Sequence, residues 1–161
     1  VRRVVIFGNS GSGKSTLAKK LCQTNGLSHL DLDLIAWLPT TPVQRKPIDE
    51  SKQAIDAFIT AHSSWVIEGC YSDLLELALP EATEIIFLNL PVDLCIVNAK
   101  QRPWEPQKYE SKAAQDENLA MLIDWIAQYP IRKDVFSQAS HEALFASFQG
   151  KKTQFTCNRH L

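Results

Sequence analysis

The sequence predicts an α/β protein of three-layer α/β/α design around a parallel sheet. Three observations carry that expectation. Apolar runs of strand length alternate with segments of helical periodicity along the whole chain. One of those runs, Glu84 to Leu90 (Glu-Ile-Ile-Phe-Leu-Asn-Leu), is apolar at nearly every position, as in a strand covered on both faces. A glycine-rich turn joins the first strand to the first helix. The length of 161 residues suits one domain, 1–161, with a single sizeable core.

The elements follow in order. Arg3 to Phe7 is rich in β-branched residues, ends at Gly8 and reads as strand one. From Lys14, the residues Leu17, Ala18, Leu21 and Cys22 recur at helical spacing until Asn25-Gly26 supplies a stop. Leu27 to Asp33 reads as strand two. The next passage, with Pro39, Pro42 and Pro47, is excluded from regular helix and from a central strand. Ala54, Ile55, Phe58 and Ile59 mark a second helix, and Trp65-Val66-Ile67 opens strand three, which ends at Glu68-Gly69. A short helix over 73–79 is stopped by Pro80. Strand four is 84–90, and Pro91 opens a helix through Val92, Cys95, Ile96 and Ala99. After a polar break, 102–109, one helix carries Leu119, Leu122, Trp125, Ile126 and Tyr129 on a single face. The last helix is expected over 133–148 and strand five over 153–157.

Composition excludes several function classes. Hydrophobic residues make up 45% and charged residues 22%, which argues against disorder. A formal net charge of −1 provides no global field for nucleic acid or an acidic membrane, so any anion site must be local. No apolar run approaches the roughly 18–20 residues that span a bilayer. The apolar stretch after Arg2-Arg3 is too short for a signal peptide and runs into glycine and lysine, so a cytoplasmic location is expected. Cys22, Cys70, Cys95 and Cys157 form no C-x-x-C pair and read as small buried hydrophobes in a reducing compartment. A monomer or a homodimer fits this composition.

Gly8-Asn9-Ser10-Gly11-Ser12-Gly13-Lys14-Ser15 satisfies the phosphate-binding pattern G-x-x-x-x-G-K-[S/T]. Glycines let successive backbone N–H groups converge on one concavity that side chains would block. The helix that starts there adds unpaired N–H groups and its positive dipole end. Lys14 supplies a mobile charge for the outer phosphates and Ser15 a hydroxyl for magnesium. The expected ligand is ATP with Mg2+, held by Gly8 through Thr16.

Two acidic features narrow the class. Asp31 and Asp33, alternate residues at the end of strand two, are expected to point together at the ligand crevice. They suit magnesium-bound water or an acceptor hydroxyl, and equally a strand-end turn or cap. Glu68 closes strand three where a metal-orienting carboxylate would stand, or is an exposed strand-end charge. Ser15, Asp31 and Glu68 form the candidate metal set. No N/T-K-x-D segment for reading guanine is present.

With those residues in hand, the chain resembles the small P-loop kinases of the adenylate kinase and shikimate kinase type, and among them the bacterial adenylate kinase-like or topology-modulation proteins. The resemblance lies in residues 4–16, His29-Leu-Asp-Leu-Asp33, Trp65-Val-Ile-Glu-Gly-Cys-Tyr71 and residues 82–91, and extends to about Arg132. It implies a five-stranded parallel sheet of order 2-3-1-4-5, an acceptor-side insertion about 34–64 and a lid about 98–115. A closed lid would exclude water and so favour transfer over hydrolysis.

The chain departs from that pattern after Gly69, where the stretch Cys70-Tyr71-Ser72-Asp73-Leu74 lacks the arginine that grips an acceptor phosphate in adenylate kinases. The lid offers Lys100, Arg102 and Lys108, with Arg132 and Lys133 after the next helix. Arg102 is the candidate phosphoryl clamp; Arg132, Arg45 and Lys46 are further candidates for gripping phosphate. Trp37 and Trp104 are candidate ligand contacts, whereas Trp65 and Trp125 read as core. His29, His62, His141 and His160 read as structural or exposed. The expected activity is transfer of the ATP γ-phosphoryl group to a small nucleotide or polyol-like acceptor, with Lys14, Asp33 and Arg102 as catalytic residues. The alternatives are a regulatory module that binds or slowly hydrolyses ATP, and a structural domain with a vestigial loop.

Overall fold

A computed structural model describes residues 1–158; His160 lies outside the described residues. The elements are β1 (Arg3–Gly8), α1 (Lys14–Asn25), β2 (Ser28–Asp31), β3 (Trp37–Leu38), β4 (Gln44–Arg45), α2 (Ile48–Ala61), β5 (Trp65–Gly69), α3 (Ser72–Ala78), β6 (Glu84–Leu88), α4 (Val92–Gln101), α5 (Lys112–Ala127), α6 (Gln138–Ser147) and β7 (Lys151–Phe155). Five strands form one parallel sheet in the order β2-β5-β1-β6-β7, with Val5 of the central strand opposite Ile67 on one side and Ile85 on the other. Strands β3 and β4 form a separate two-stranded antiparallel sheet.

Period-two alternation splits β1 between two cores. Val5 and Phe7 join Ile67, Ile85 and Phe87 under Ile55, Leu74, Leu75 and Leu144, which come from α2, α3 and α6. Val4 and Ile6 join Val66, Ile86 and Leu88 under Leu17 and Leu21 of α1, Cys95 and Ala99 of α4, and Ile126 of α5. Both sheet faces are therefore covered, and all five β6 residues are buried. Phe7 and Phe87 stack across the first core with centroids 5.0 Å apart; removing such a buried ring costs about 3–5 kcal/mol.

Several boundaries differ from expectation, each for a local reason. Strand β2 ends at Asp31 because the Asp31 carboxylate accepts the backbone N–H of Asp33 at 2.9 Å and turns the chain into a 3-10 turn, Leu32–Leu34. The proline-rich passage contains the β3–β4 hairpin, closed by Lys46 N–H to the Ala36 carbonyl at 2.8 Å. The last helix begins at Gln138, five residues late. Asp134 first captures Arg132 and the Phe136 N–H, and Ser137 then caps the Ser140 N–H. Strand β6 stops at Leu88, and β7 begins two residues early, with Lys151 opposite Glu84. Trp65 is fully buried, but Trp125 is only half-buried, under the Arg132 guanidinium 3.5 Å from its ring centre. Among the described residues no helix is long and apolar enough to cross a membrane.

Candidate active site

The segment between β1 and α1 is held from behind by close backbone approach. A Cβ on Gly8 would meet the Leu88 carbonyl oxygen at 2.5 Å and the Ser12 hydroxyl at 2.9 Å. Gly11 has φ +79°, and a Cβ there would run into the Cys95 carbonyl. Side chains finish the anchoring: Asn9 donates to the Ile126 carbonyl at 3.2 Å and Asn98 to the Gly11 carbonyl at 2.8 Å. Lys14 folds back so that its ammonium donates to the Asn9 carbonyl at 2.7 Å. Helix α1 starts after Gly13 with no side chain capping it and no acidic residue in its first turn. Its first N–H groups and dipole therefore act on whatever faces the loop. Ser12 is fully buried, yet its hydroxyl has no hydrogen-bond partner among the described residues.

Beside the loop stands a wall of carboxylates at the ends of β2 and β5. Glu68, with a side chain only 3% exposed, accepts the Ser15 hydroxyl at 2.8 Å and lies 3.1 Å from His29 Nε2 through the same oxygen. Asp33 Oδ1 accepts the Tyr71 hydroxyl at 2.5 Å, and that hydroxyl accepts the Trp37 indole N–H at 2.8 Å. Lys108, from the segment after α4, places its ammonium 2.7 Å from Asp33, 3.3 Å from Asp31 and 3.8 Å from Glu105. Asp31 and Asp33 thus converge through a turn and a shared lysine, not through strand alternation.

The electrostatics follow from this packing. Burial works to raise the Asp33 pKa, but the Lys108 ammonium and the Tyr71 hydroxyl outweigh it and hold the carboxyl below its ordinary value. Burial raises Asp31, and the negative charges of Glu68 and Asp33 push it further in that direction. Burial opposes the Lys108 charge, yet Asp33 and Asp31 prevail and its pKa is raised. Burial also raises the Tyr71 hydroxyl, which stays a donor. The Cys70 thiol is pushed up to about 12 by burial, which removes it as a nucleophile.

These groups surround a cavity of about 420 Å³. Ser10, Gly11, Gly13, Lys14, Ser15, Thr16 and Lys19 line it from the loop and α1, and Asp33, Glu68, Gly69 and Cys70 from the sheet. Asn98, Gln101, Arg102, Glu105 and Lys108 close it from α4 and the segment beyond. Gly8, Asn9 and Ser12 stand behind the lining, and Asp31 reaches the site through Lys108. Arg102 faces the cavity and sits 3.4 Å from Glu105. Two other arginines are drawn away from it. Arg45 bonds Asp73 and lies over the Tyr71 ring, and Arg132 bonds Asp134 and lies over Trp125. Trp104 donates to the Tyr109 carbonyl at 3.0 Å and braces the segment after α4.

Sequence reading gave no role to Glu105, Tyr71 or His29 and counted Lys108 only as one lid cation. His29 alone had a usable signal, since it shares strand parity with Asp31.

No family model matches the chain. It is 25% identical over 144 residues to the uncharacterized protein YqaC of Bacillus subtilis, a match spanning 88% of this chain and 80% of that protein. The unliganded structure of a sugar kinase from Janibacter sp. superposes on it with a TM-score of 0.54 at 16% identity, covering 97% of this chain and 85% of the other. The chain therefore shares its parallel-sheet α/β fold with a sugar kinase.

Proposed function

We propose that the protein is an ATP-dependent phosphotransferase acting on a small hydroxylated or phosphorylated acceptor. The observation that carries this reading is the uncapped start of α1 at Gly13, beside Lys14 and Ser15, facing the carboxylates Asp33 and Glu68 across one cavity. Two features fit a triphosphate: a loop backbone anchored from behind at Gly8 and Gly11, and a Lys14 ammonium that among the described residues bonds only to a carbonyl. The parallel-sheet α/β fold shared with a sugar kinase fits a kinase.

Among the described residues no three His, Cys, Asp or Glu side chains are disposed to hold a metal on their own. Ser15, with Glu68 beside it, fits Mg2+ that arrives with the nucleotide, as is usual for this ion. Bound there, Mg2+ would neutralise charge on the phosphates. Asp33, kept ionised by Lys108 and Tyr71, is a weak base and serves to orient the acceptor hydroxyl. That suits phosphoryl transfer, which depends mainly on positioning and charge stabilisation. Arg102 reaches the cavity as the guanidinium that steadies charge on the moving phosphoryl group.

Calorimetric titration of Mg-ATP into wild type and Lys14→Ala tests the nucleotide site. Loss of a charge-assisted bond of about 1.5–3 kcal/mol should weaken binding by about 10- to 150-fold. Unchanged affinity would favour a vestigial loop. A second reading, a regulatory ATP-binding module, is favoured by the ion pair that occupies Asp33. A coupled assay over nucleotides, sugars and polyols separates the two. Transfer to any acceptor well above the rate of ATP hydrolysis rules against the regulatory reading; tight ATP binding without transfer supports it.

A further inference from the structure

The cations of the cavity are divided by origin. Lys14 and Lys19, both on α1, have no carboxylate within 4 Å among the described residues. Arg102 and Lys108, from the segment after α4, are already ion-paired, Arg102 with Glu105 and Lys108 with Asp33, Asp31 and Glu105. The two arginines nearby that could have served an anion, Arg45 and Arg132, are bound to Asp73 and Asp134 outside the lining. Among the described residues, the lining cations without a carboxylate partner are therefore the two on α1. Beside Arg102 and Lys108, Asp33 and Glu105 line the cavity with carboxylate oxygens, which accept hydrogen bonds from hydroxyls and repel phosphates.

We infer that the acceptor is an uncharged polyhydroxylated molecule, sugar- or polyol-like, and not a nucleotide or other phosphate ester. A neutral polyol can donate O–H groups to Asp33 and Glu105 without disturbing Lys108. An anionic acceptor would have to displace a carboxylate from Lys108 or Arg102 and then lie against the carboxylate it displaced. This inference rests on the phosphotransferase reading above and narrows its acceptor.

Two measurements on the full chain decide it. The first compares calorimetric affinity for Mg-ATP with that for diadenosine pentaphosphate, which carries phosphate from the loop end into the acceptor end. A ratio near one is expected, and pentaphosphate binding 100-fold tighter than ATP overturns the inference. Glu105→Gln, which releases Arg102 and Lys108 from one carboxylate, should move the ratio several-fold toward the pentaphosphate. An unmoved ratio would count against the charge division. The second measures kcat/KM on matched pairs: adenosine against AMP, ribose against ribose 5-phosphate, glucose against glucose 6-phosphate. The phosphorylated partner should run at less than a tenth of the uncharged one, and the reverse preference refutes the inference. Failure of ATP itself to bind would instead bring down the nucleotide reading, a result separable from either.

Discussion

Lys108 Nζ lies 2.7 Å from Asp33 Oδ2 and ties the segment after α4 to the end of β2, 75 residues away in the chain. The pair has a pH window with two limbs. Asp33 is depressed in the folded state, so its contribution is present above the unfolded carboxylate value of about 3.9 and fades as pH falls through the folded value. Lys108 is raised, so its contribution is complete below the unfolded value of about 10.4 and is lost as pH rises through the folded one. The Asp33 side chain is 40% exposed, and solvent screening limits the pair to about 0.5–1 kcal/mol. Thermal melts of wild type and Lys108→Met should differ by that amount between about pH 5 and 9 and converge toward the acid and alkaline extremes. A constant difference at all pH values would mean that Lys108 acts through packing alone.

A second titration concerns His141 of α6, which is fully buried against Phe7 and Phe87 of the sheet and lies outside the cavity lining. The Cys70 carbonyl can only accept, so Nε2 of His141 carries the proton it donates at 2.8 Å, while Nδ1 accepts the Tyr129 hydroxyl at 2.6 Å. The ring is therefore neutral, and burial lowers its pKa from 6.5 to about 4. Protonation favours the unfolded chain, so stability should fall as pH drops from 6.5 toward 4. The full drop is about 3 kcal/mol. Denaturant melts at pH 7, 5.5 and 4.5 should show this slope in wild type. His141→Asn should remove this histidine's share of the slope, at the cost of lower stability at pH 7.

Close approach in the loop between β1 and α1 can be separated from backbone conformation by comparing two glycines. Gly26, the left-handed residue that ends α1, has φ +67° and open space where a Cβ would go. Gly11 has φ +79° and the Cys95 carbonyl in that place. Gly26→Ala should cost about 1–2 kcal/mol for the left-handed conformation alone. Gly11→Ala should cost more and should also displace α4, on which Asn98 holds the loop. Urea melts give both costs, and equal values would show that the loop yields without strain.

Much of this architecture was legible because its signals are local. Strand β6 is buried on both faces and reads as a nearly unbroken apolar run, and Lys14 follows a pattern that needs no partner from elsewhere. The errors came where a side chain competed with the periodicity, as Asp31 did in ending β2 and Asp134 in delaying α6. Lys108 was hidden for a different reason. Its meaning depends on Asp33, Asp31 and Glu105 meeting at one point, and nothing in its own neighbourhood of the chain marks it. Arg45 and Arg132 show the converse, since unseen partners at Asp73 and Asp134 remove both from the cavity.

The chain Ser15–Glu68–His29 yields the last prediction. The buried Glu68 carboxylate meets both partners through Oε2, with Ser15 Oγ at 2.8 Å and His29 Nε2 at 3.1 Å. His29 lies on β2 outside the cavity lining, so it acts by positioning the carboxylate. Partners of this kind typically govern metal affinity by about 10- to 100-fold. His29→Ala should therefore raise the Mg2+ concentration needed for half-maximal ATP binding by about tenfold, with Glu68→Gln at least as damaging. Affinity for ATP without metal should be nearly unchanged, because the loop and Lys14 are untouched. His29→Gln keeps an N–H donor near the same place and should restore much of the loss. If His29→Ala weakens ATP equally with and without Mg2+, the histidine supports the fold of β2 and not the metal side of the site.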